Sequence, residues 1–155
     1  MAEHTLTVPA EYAEDFRAAL AHDIAEEAGY VERDRKKLLT VIENRKDTEF
    51  QRNELRSTMK MLDRSAELFR QVGHEDSGDI EISMGDDLGV VAYVFETVAR
   101  KIIGPQLADA LHVGPIDQEW AAQLRELIER LTWAIDQAAE VNASYFPGRD
   151  KEAVA

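Results

Sequence analysis

Cysteine is absent from the 155-residue chain. This absence excludes disulfide bonds, thiolate metal ligands and a catalytic thiol. Long apolar runs are also missing: the longest uncharged stretch in the central part, Leu88 to Phe95, is too short to cross a bilayer. The first residues, MAEHTLTVPAEY, have neither the basic start nor the apolar run of a secretory signal. We therefore predict a cytoplasmic protein without a membrane partner.

Catalytic and cofactor motifs are missing as well. The sequence has no glycine-rich phosphate loop, no GxSxG nucleophile elbow and no HExxH zinc motif. We therefore predict no catalytic residue and no cofactor, and we interpret the chain as a binding domain rather than an enzyme. Two groups keep a metal-binding or enzymatic helical bundle open as an alternative. They are the pair His22 and Glu26, at i and i+4 on one helix face, and an acid-rich loop that contains Glu75, Asp76, Asp79, Glu81, Asp86 and Asp87.

Acidic residues dominate the composition, and they are unevenly distributed. The net charge is −13, which repels nucleic acid and anionic lipid at long range. Residues 32–72 are the exception, because their eleven basic and eight acidic side chains give +3. One segment of an acidic protein is thus basic.

Glycine and proline are both absent between Tyr30 and Val72. A straight helix over this stretch would measure about 65 Å, whereas a domain of this size is roughly 40 Å across. Its middle, residues 43–54, has a single apolar side chain, Phe50. We therefore predict either a break within residues 43–54, with Asp47 as the N-cap of the second piece, or an overhang that needs another surface. We favour the break.

Periodic apolar residues predict the remaining elements. Tyr12, Phe16, Leu20 and Ile24 recur every four residues, which predicts a helix over about 10–28 that Gly29 ends. Residues 88–103 favour a buried helix over a buried strand, and Gly104-Pro105 is expected to break it before a short helix at 106–111. The last helix is predicted over about 118–145, with Asp117 as its cap.

Together these elements predict a mainly α fold, a bundle of about four principal helices with one long or broken helix at about 32–72. The alternation in Thr5–Val8 and around Ile80 and Ile82 adds a small two-stranded ribbon, about 5–8 with 79–83. We predict one domain over residues 1–146 and a flexible tail over 147–155.

The second helical segment carries two parallel rows of side chains. Apolar residues at heptad-like spacings of four, three, four and three form the heptad seam. Beside it, cations at successive i, i+4 steps form the basic stripe. The heptad seam consists of Leu55, Met59, Leu62, Ala66 and Phe69, and the basic stripe of Arg52, Arg56, Lys60 and Arg64.

Like charges at i, i+4 destabilise an isolated helix, so the basic stripe calls for an acidic neighbour or for solvent. That neighbour could be another part of the same chain, a second copy or another acidic protein. Nucleic acid is disfavoured, because no aromatic residues interleave the cations as a stacking surface. Our main hypothesis is a homodimer that forms through residues 32–72. Its predicted interface residues are Arg52, Leu55, Arg56, Met59, Lys60, Leu62, Arg64 and Phe69, together with the tryptophan Trp133 as an interface anchor or a core residue.

Overall fold

A computed structural model describes residues 4–72, 78–84, 88–112 and 117–145. The fold is mainly α with one small antiparallel sheet, which confirms the predicted class. In chain order the elements are β1 (His4–Val8), α1 (Ala10–Glu43), α2 (Glu49–Val72), β2 (Ile80–Met84), α3 (Leu88–Thr97), a π-helix (Val98–Ile103), α4 (Gly104–His112) and α5 (Gln118–Tyr145).

Helix α1 runs without interruption through Gly29, so the prediction that this glycine ends the first helix was wrong. The predicted start of a second helix near Glu32 was wrong for the same reason. No described glycine has a positive φ, which is the conformation that a glycine needs to end a helix. A glycine inside a helix costs only about 1 kcal/mol relative to alanine, and contacts of Glu27 and Asp34 with α2, on either side of Gly29, hold the helix together.

The break predicted within residues 43–54 is confirmed, and it turns the chain into a hairpin of two antiparallel helices. Arg45, at φ 52°, takes the left-handed position that follows the end of α1. The N–H of Lys46 donates to the carbonyl of Val41 and the N–H of Arg45 donates to that of Ile42, the two bonds of a Schellman motif. The carboxylate of Asp47 then accepts the N–H of Glu49 at 3.1 Å, but the carbonyl of Thr48 accepts the first intrahelical bond, from Arg52, so Asp47 caps the helix from one residue before the predicted N-cap position.

The two-stranded sheet pairs the segments that the sequence indicated. Leu6 lies opposite Ile82 and Val8 opposite Ile80, and the side chains of Val8, Ile80 and Ile82 are buried. The carboxylate of Asp79 accepts the N–H of Ala10 at 2.9 Å, which caps the beginning of α1 from a distance of 69 residues along the chain. The sheet therefore fixes where α1 starts.

Residues 88–112 stay helical throughout, so Gly104-Pro105 does not break the chain as predicted. A proline in a helix lacks the N–H for the i−4 carbonyl and its ring clashes with that carbonyl. The six-residue π-helix directly before Pro105 widens the turn, and the N–H of Gly104 donates to the carbonyl of Ala99, five residues back. A Cβ at position 104 would lie 3.1 Å from that oxygen, which explains the glycine.

The hydrophobic core lies where α1, α3, the π-helix and α5 meet. Phe16, Leu20, Phe95 and Ile103 are fully buried there. From α1 the apolar residues of the core extend only to Ile24, and those of α2 begin only at Leu68. Past these points the two helices continue together as what we call the distal arm, residues 28–64, whose α1 half measures about 24 Å.

Candidate interaction surface

The buried side of α2 combines polar and apolar side chains. Ser65, Leu68 and Val72 are the buried residues of α2. The hydroxyl of Ser65 donates to Glu27 Oε1 at 3.0 Å, and one heptad further along, Thr58 lies within hydrogen-bonding reach of the Asp34 carboxylate. From Glu27 to Asp34 the contact moves seven residues forward along α1, and from Ser65 to Thr58 it moves seven residues back along α2. The two contacts therefore set the antiparallel register.

The heptad seam lies on a different side of α2. At 100° per residue its centre is about 80° around the helix from Ser65. Three of its members, Leu55, Leu62 and Ala66, are partly buried. Met59 is 50% exposed and Phe69 is 41% exposed. The apolar row that the sequence assigns to a helix contact is thus only partly covered by the described part of the chain, with Met59 and Phe69 left open.

A shallow groove of about 510 Å³ opens along this side of the distal arm. Leu55 and Met59 from α2 and Leu38 from α1 form its apolar floor. Around them stand three cations of the basic stripe and one acid; these lining residues are Arg52, Arg56, Lys60 and Asp63. An apolar strip with a basic margin is suited to an acidic, apolar helix of a partner.

The structure brings together eight of the nine predicted interface residues, since Arg52 to Phe69 all lie on α2. Trp133 lies elsewhere, on α5. Its indole stacks on Tyr12 at 4.2 Å between ring centroids and meets the edge of Phe95 at 5.3 Å. Tyr12 precedes Asp34 by 22 residues of α1, about 33 Å, so Trp133 is far from the basic stripe.

Sequence reasoning missed a line of buried carboxylates on α1. Asp15, Asp23, Glu27 and Asp34 are all at least nine-tenths buried. Asp15 is satisfied by Arg130 from α5, whose guanidinium donates two hydrogen bonds to it at 2.5 and 2.8 Å. The signal was available, because Asp23, Glu27 and Asp34 continue the apolar row of Phe16 and Leu20 at heptad spacing.

Two of these carboxylates are incompletely satisfied. Asp23 Oδ1 accepts the hydroxyl of Thr97 at 2.7 Å, and Glu27 Oε1 accepts that of Ser65, but Asp23 Oδ2 and Glu27 Oε2 are buried without a partner. Burial raises the pKa of Asp23 to about 6. Burial also raises the pKa of Glu27, and the neighbouring Asp23 charge adds to that shift. Both groups therefore favour their protonated forms near neutral pH more than ordinary acids do.

The pair predicted as a possible metal or acid–base site, His22 and Glu26, does not act together. Glu26 accepts the ammonium of Lys101 at 2.6 Å and the hydroxyl of Tyr30 at 2.9 Å, and the Lys101 bond lowers the pKa of Glu26. His22 Nδ1 instead lies 3.9 Å from Asp23. Within the described ranges, no three histidine or acidic side chains are placed to share a metal ion.

The acid-rich loop is described only in part. Asp79 caps α1 and Glu81 lies in β2, whereas Glu75, Asp76, Asp86 and Asp87 lie outside the described residues. No helix in the part of the chain that the structure describes is long and apolar enough to cross a membrane.

Neither a family model, nor a curated protein, nor a solved structure matches this chain. The function must therefore be argued from the surface itself. One described surface that combines exposed apolar area with a row of cations is the groove on the distal arm.

Proposed function

We propose that this protein is a self-associating protein–protein interaction domain whose contact element is α2. The observation that carries the proposal is the exposure of the heptad seam. A different face of α2, with Ser65 and Leu68, packs on α1, so Met59 and Phe69 remain about half exposed. Fully burying a side chain of this kind stabilises by about 1.5–3 kcal/mol.

The distribution of exposed apolar residues supports the same conclusion. Seven of the eleven large apolar side chains that are exposed in the described structure belong to α1 and α2. A contiguous apolar patch marks an interaction site, and of these residues Met59 lines the groove on the distal arm. These seven residues are Tyr30, Leu39, Ile42, Phe50, Met59, Met61 and Phe69.

Charge supports a partner that is acidic, and the protein itself is one. The distal arm has ten basic and seven acidic residues, a net charge of +3. The rest of the chain therefore carries −16, since the two values make up the total of −13. A second copy thus offers an acidic surface to the arm, and this complementarity raises the rate of encounter and restricts its orientation.

Phosphate would also attract the basic stripe, but two features favour protein over nucleic acid. The net charge of −13 opposes approach to a polyanion. The groove between the cations is lined by Leu55 and Met59, and neither is an aromatic side chain on which a base could stack.

Reversing two cations of the groove tests the proposal. We expect the double variant Arg56→Glu, Lys60→Glu to weaken self-association at least about tenfold, because it replaces attraction to an acidic surface by repulsion. Sedimentation velocity over a range of concentrations measures the effect. The matched control, Lys36→Glu with Lys46→Glu, makes the same change in net charge at exposed positions of the arm outside the groove.

Circular dichroism of both double variants checks that the helices are intact. A wild-type protein that stays monomeric at high concentration would refute the proposal. Equal weakening in the groove variant and the control would also refute it, because the effect would then come from net charge. Binding of labelled DNA or RNA at low salt, lost in the groove variant only, would instead point to nucleic acid.

A further inference from the structure

A second apolar helix face is exposed on α5. Apolar residues on this helix repeat at spacings of four, three, four and three, the same spacings as in the heptad seam. Leu124 and Leu131 are half-buried against the core, but Ile128 is 46% exposed and Ile135 is 51% exposed. We call this row the α5 face; it consists of Leu124, Ile128, Leu131, Ile135 and Ala138.

A groove of about 320 Å³ runs between the α5 face and the π-helix. Leu131, Ile135 and Ala138 line one side, Ala99 of the π-helix lines the other, and the charged side chains of Glu96 and Arg100 stand at its edge. α5 packs on α3, the π-helix and α4 through the adjoining side, where Ala134 and Ala138 are buried. The groove therefore offers an apolar strip beside this packed side.

The margin of the α5 face is acidic. Glu129 follows Ile128 and Asp136 follows Ile135, and both acids are exposed. α5 as a whole has five acidic residues and two arginines, and one of the two, Arg130, is committed to Asp15 through two hydrogen bonds. The exposed acids Glu129 and Asp136 thus stand beside the α5 face, whereas three cations stand beside the α2 groove.

A symmetric contact between two copies of α2 would be unfavourable. Around a two-fold axis the same surface meets itself, so Arg56 and Lys60 of one copy would approach the same cations of the other. Like charges placed opposite each other across an interface cost several kcal/mol and suppress the contact. A contact of α2 with α5 instead sets cations against Glu129 and Asp136.

We infer that the heptad seam and basic stripe of one copy dock on the α5 face of a second copy. This inference rests on the proposed self-association and names the surface that receives α2. Matching heptad-like spacings allow the two helices to pack with knobs-into-holes contacts along several turns. In a two-fold dimer the contact occurs twice, because each copy both donates α2 and accepts the other on α5.

The absence of native cysteine allows a direct test by disulfide cross-linking. We mix the full-length single-cysteine proteins Met59→Cys and Ile135→Cys under mild oxidation. We expect the mixed pair to cross-link at least about tenfold faster than Met59→Cys with itself, because only the mixed pair brings the two thiols within disulfide distance. In the control mixture, Leu111→Cys replaces Ile135→Cys. Leu111 is 62% exposed and lies outside both faces, so this mixture measures the cross-linking rate that random collision gives.

Charge reversal on the receiving side provides a second readout. Glu129→Lys with Asp136→Lys should weaken self-association at least about tenfold, and combining it with Arg56→Glu and Lys60→Glu should restore association. Restored association together with mixed cross-links supports the inference. Three results together would overturn the inference but leave the proposed function intact. Reversing the α2 charges would abolish association, reversing the α5 charges would have no effect, and Met59→Cys would cross-link to itself. If neither reversal affects association, both fail.

Discussion

At the scale of single residues, the buried row of α1 that begins with the apolar side chains of Phe16 and Leu20 continues with carboxylates. Asp23 and Glu27 are one turn apart, each satisfied by a single hydroxyl, from Thr97 and Ser65 respectively. A buried carboxyl with one oxygen unpartnered is costly when it is ionised. The protein accommodates the pair by raising both pKa values, so its stability depends on protonation at the junction of α1, α2 and α3.

Asp23 makes the free energy of unfolding fall as the pH rises. Unfolded Asp23 releases its proton near its ordinary pKa of 3.8, whereas folded Asp23 holds it up to about pH 6. The stabilisation by the bound proton is therefore complete below about pH 4 and is lost as the pH rises to about 6. A shift of this size corresponds to roughly 3 kcal/mol.

We expect Asp23→Asn to remove this dependence. The amide keeps an oxygen for the Thr97 hydroxyl and carries no charge, so the variant should be more stable than wild type by about 1–3 kcal/mol at pH near 7 and nearly equal to it near pH 4. Urea unfolding at the two pH values measures the difference. A stability difference that is the same at both pH values would contradict the assignment.

Glu26→Gln provides a control of opposite sign. The bond from Lys101 lowers the pKa of Glu26, so ionised Glu26 contributes stability above its unfolded pKa, and this contribution is lost as the pH falls. Glu26→Gln should therefore lower stability near neutral pH and have less effect in acid. The two variants change neighbouring carboxyls of one helix and differ in the direction of their effects.

At the scale of helices and turns, Gly29 and Gly104 differ in whether a side chain would fit. Gly29 lies inside α1 with helical backbone angles, and a Cβ there would meet nothing within 4 Å. Gly104 begins α4 directly after the π-helix, where a Cβ would approach the Ala99 carbonyl oxygen to 3.1 Å. Only the second position has a packing reason for a residue without a side chain.

Gly29→Ala should stabilise the protein by about 0.5–1 kcal/mol, because alanine loses less conformational entropy in a helix than glycine does. The same substitution at Gly104 should gain less or destabilise, since the backbone carbonyl that the Cβ approaches cannot move aside as a flexible side chain would. Urea unfolding of both variants gives the comparison. Equal stabilisation by both would show that the contact at Gly104 imposes no constraint.

At the scale of the whole molecule, the chain consists of an acidic helical body and a basic arm whose apolar seam is only partly covered. The apolar residues of the core end at Ile24 on α1 and begin at Leu68 on α2, so the distal arm depends mainly on contacts between two helices. Two-helix contacts bury little apolar area. The arm should therefore gain stability from any partner that covers it.

We expect the melting temperature to rise with protein concentration. A partner that binds the folded state stabilises it by RT ln(1 + [L]/Kd), which is about 2.7 kcal/mol when its concentration is about one hundred times Kd. Differential scanning calorimetry over a hundredfold range of concentration, well above and near Kd, measures the shift. In the Arg56→Glu, Lys60→Glu variant, the same rise should require concentrations at least about tenfold higher. A constant melting temperature in wild type would argue against self-association.

Much of the fold followed from local patterns. The two segments of the ribbon, the break near Asp47 and the extent of α5 were predicted from alternation, capping residues and apolar spacing, all of which act over a few residues. The passage of α1 through Gly29 and the continuation past Pro105 could not be predicted in this way. In both places a contact with another element, or a widened turn, outweighs a local preference of about 1 to 3 kcal/mol.

Of the candidate surface, the residues of α2 were identified from the sequence, but their exposure was not. Periodicity and charge determined by themselves that α2 has an apolar row beside a cationic one. Which face of α2 turns toward α1 was decided by the tertiary structure, in which Glu27 and Asp34 on α1 offer acceptors that Ser65 and Thr58 meet. Leaving a buried carboxylate without a hydrogen-bond donor costs more free energy than the helix pair would gain by burying extra apolar area. That requirement rotates the heptad seam away from α1.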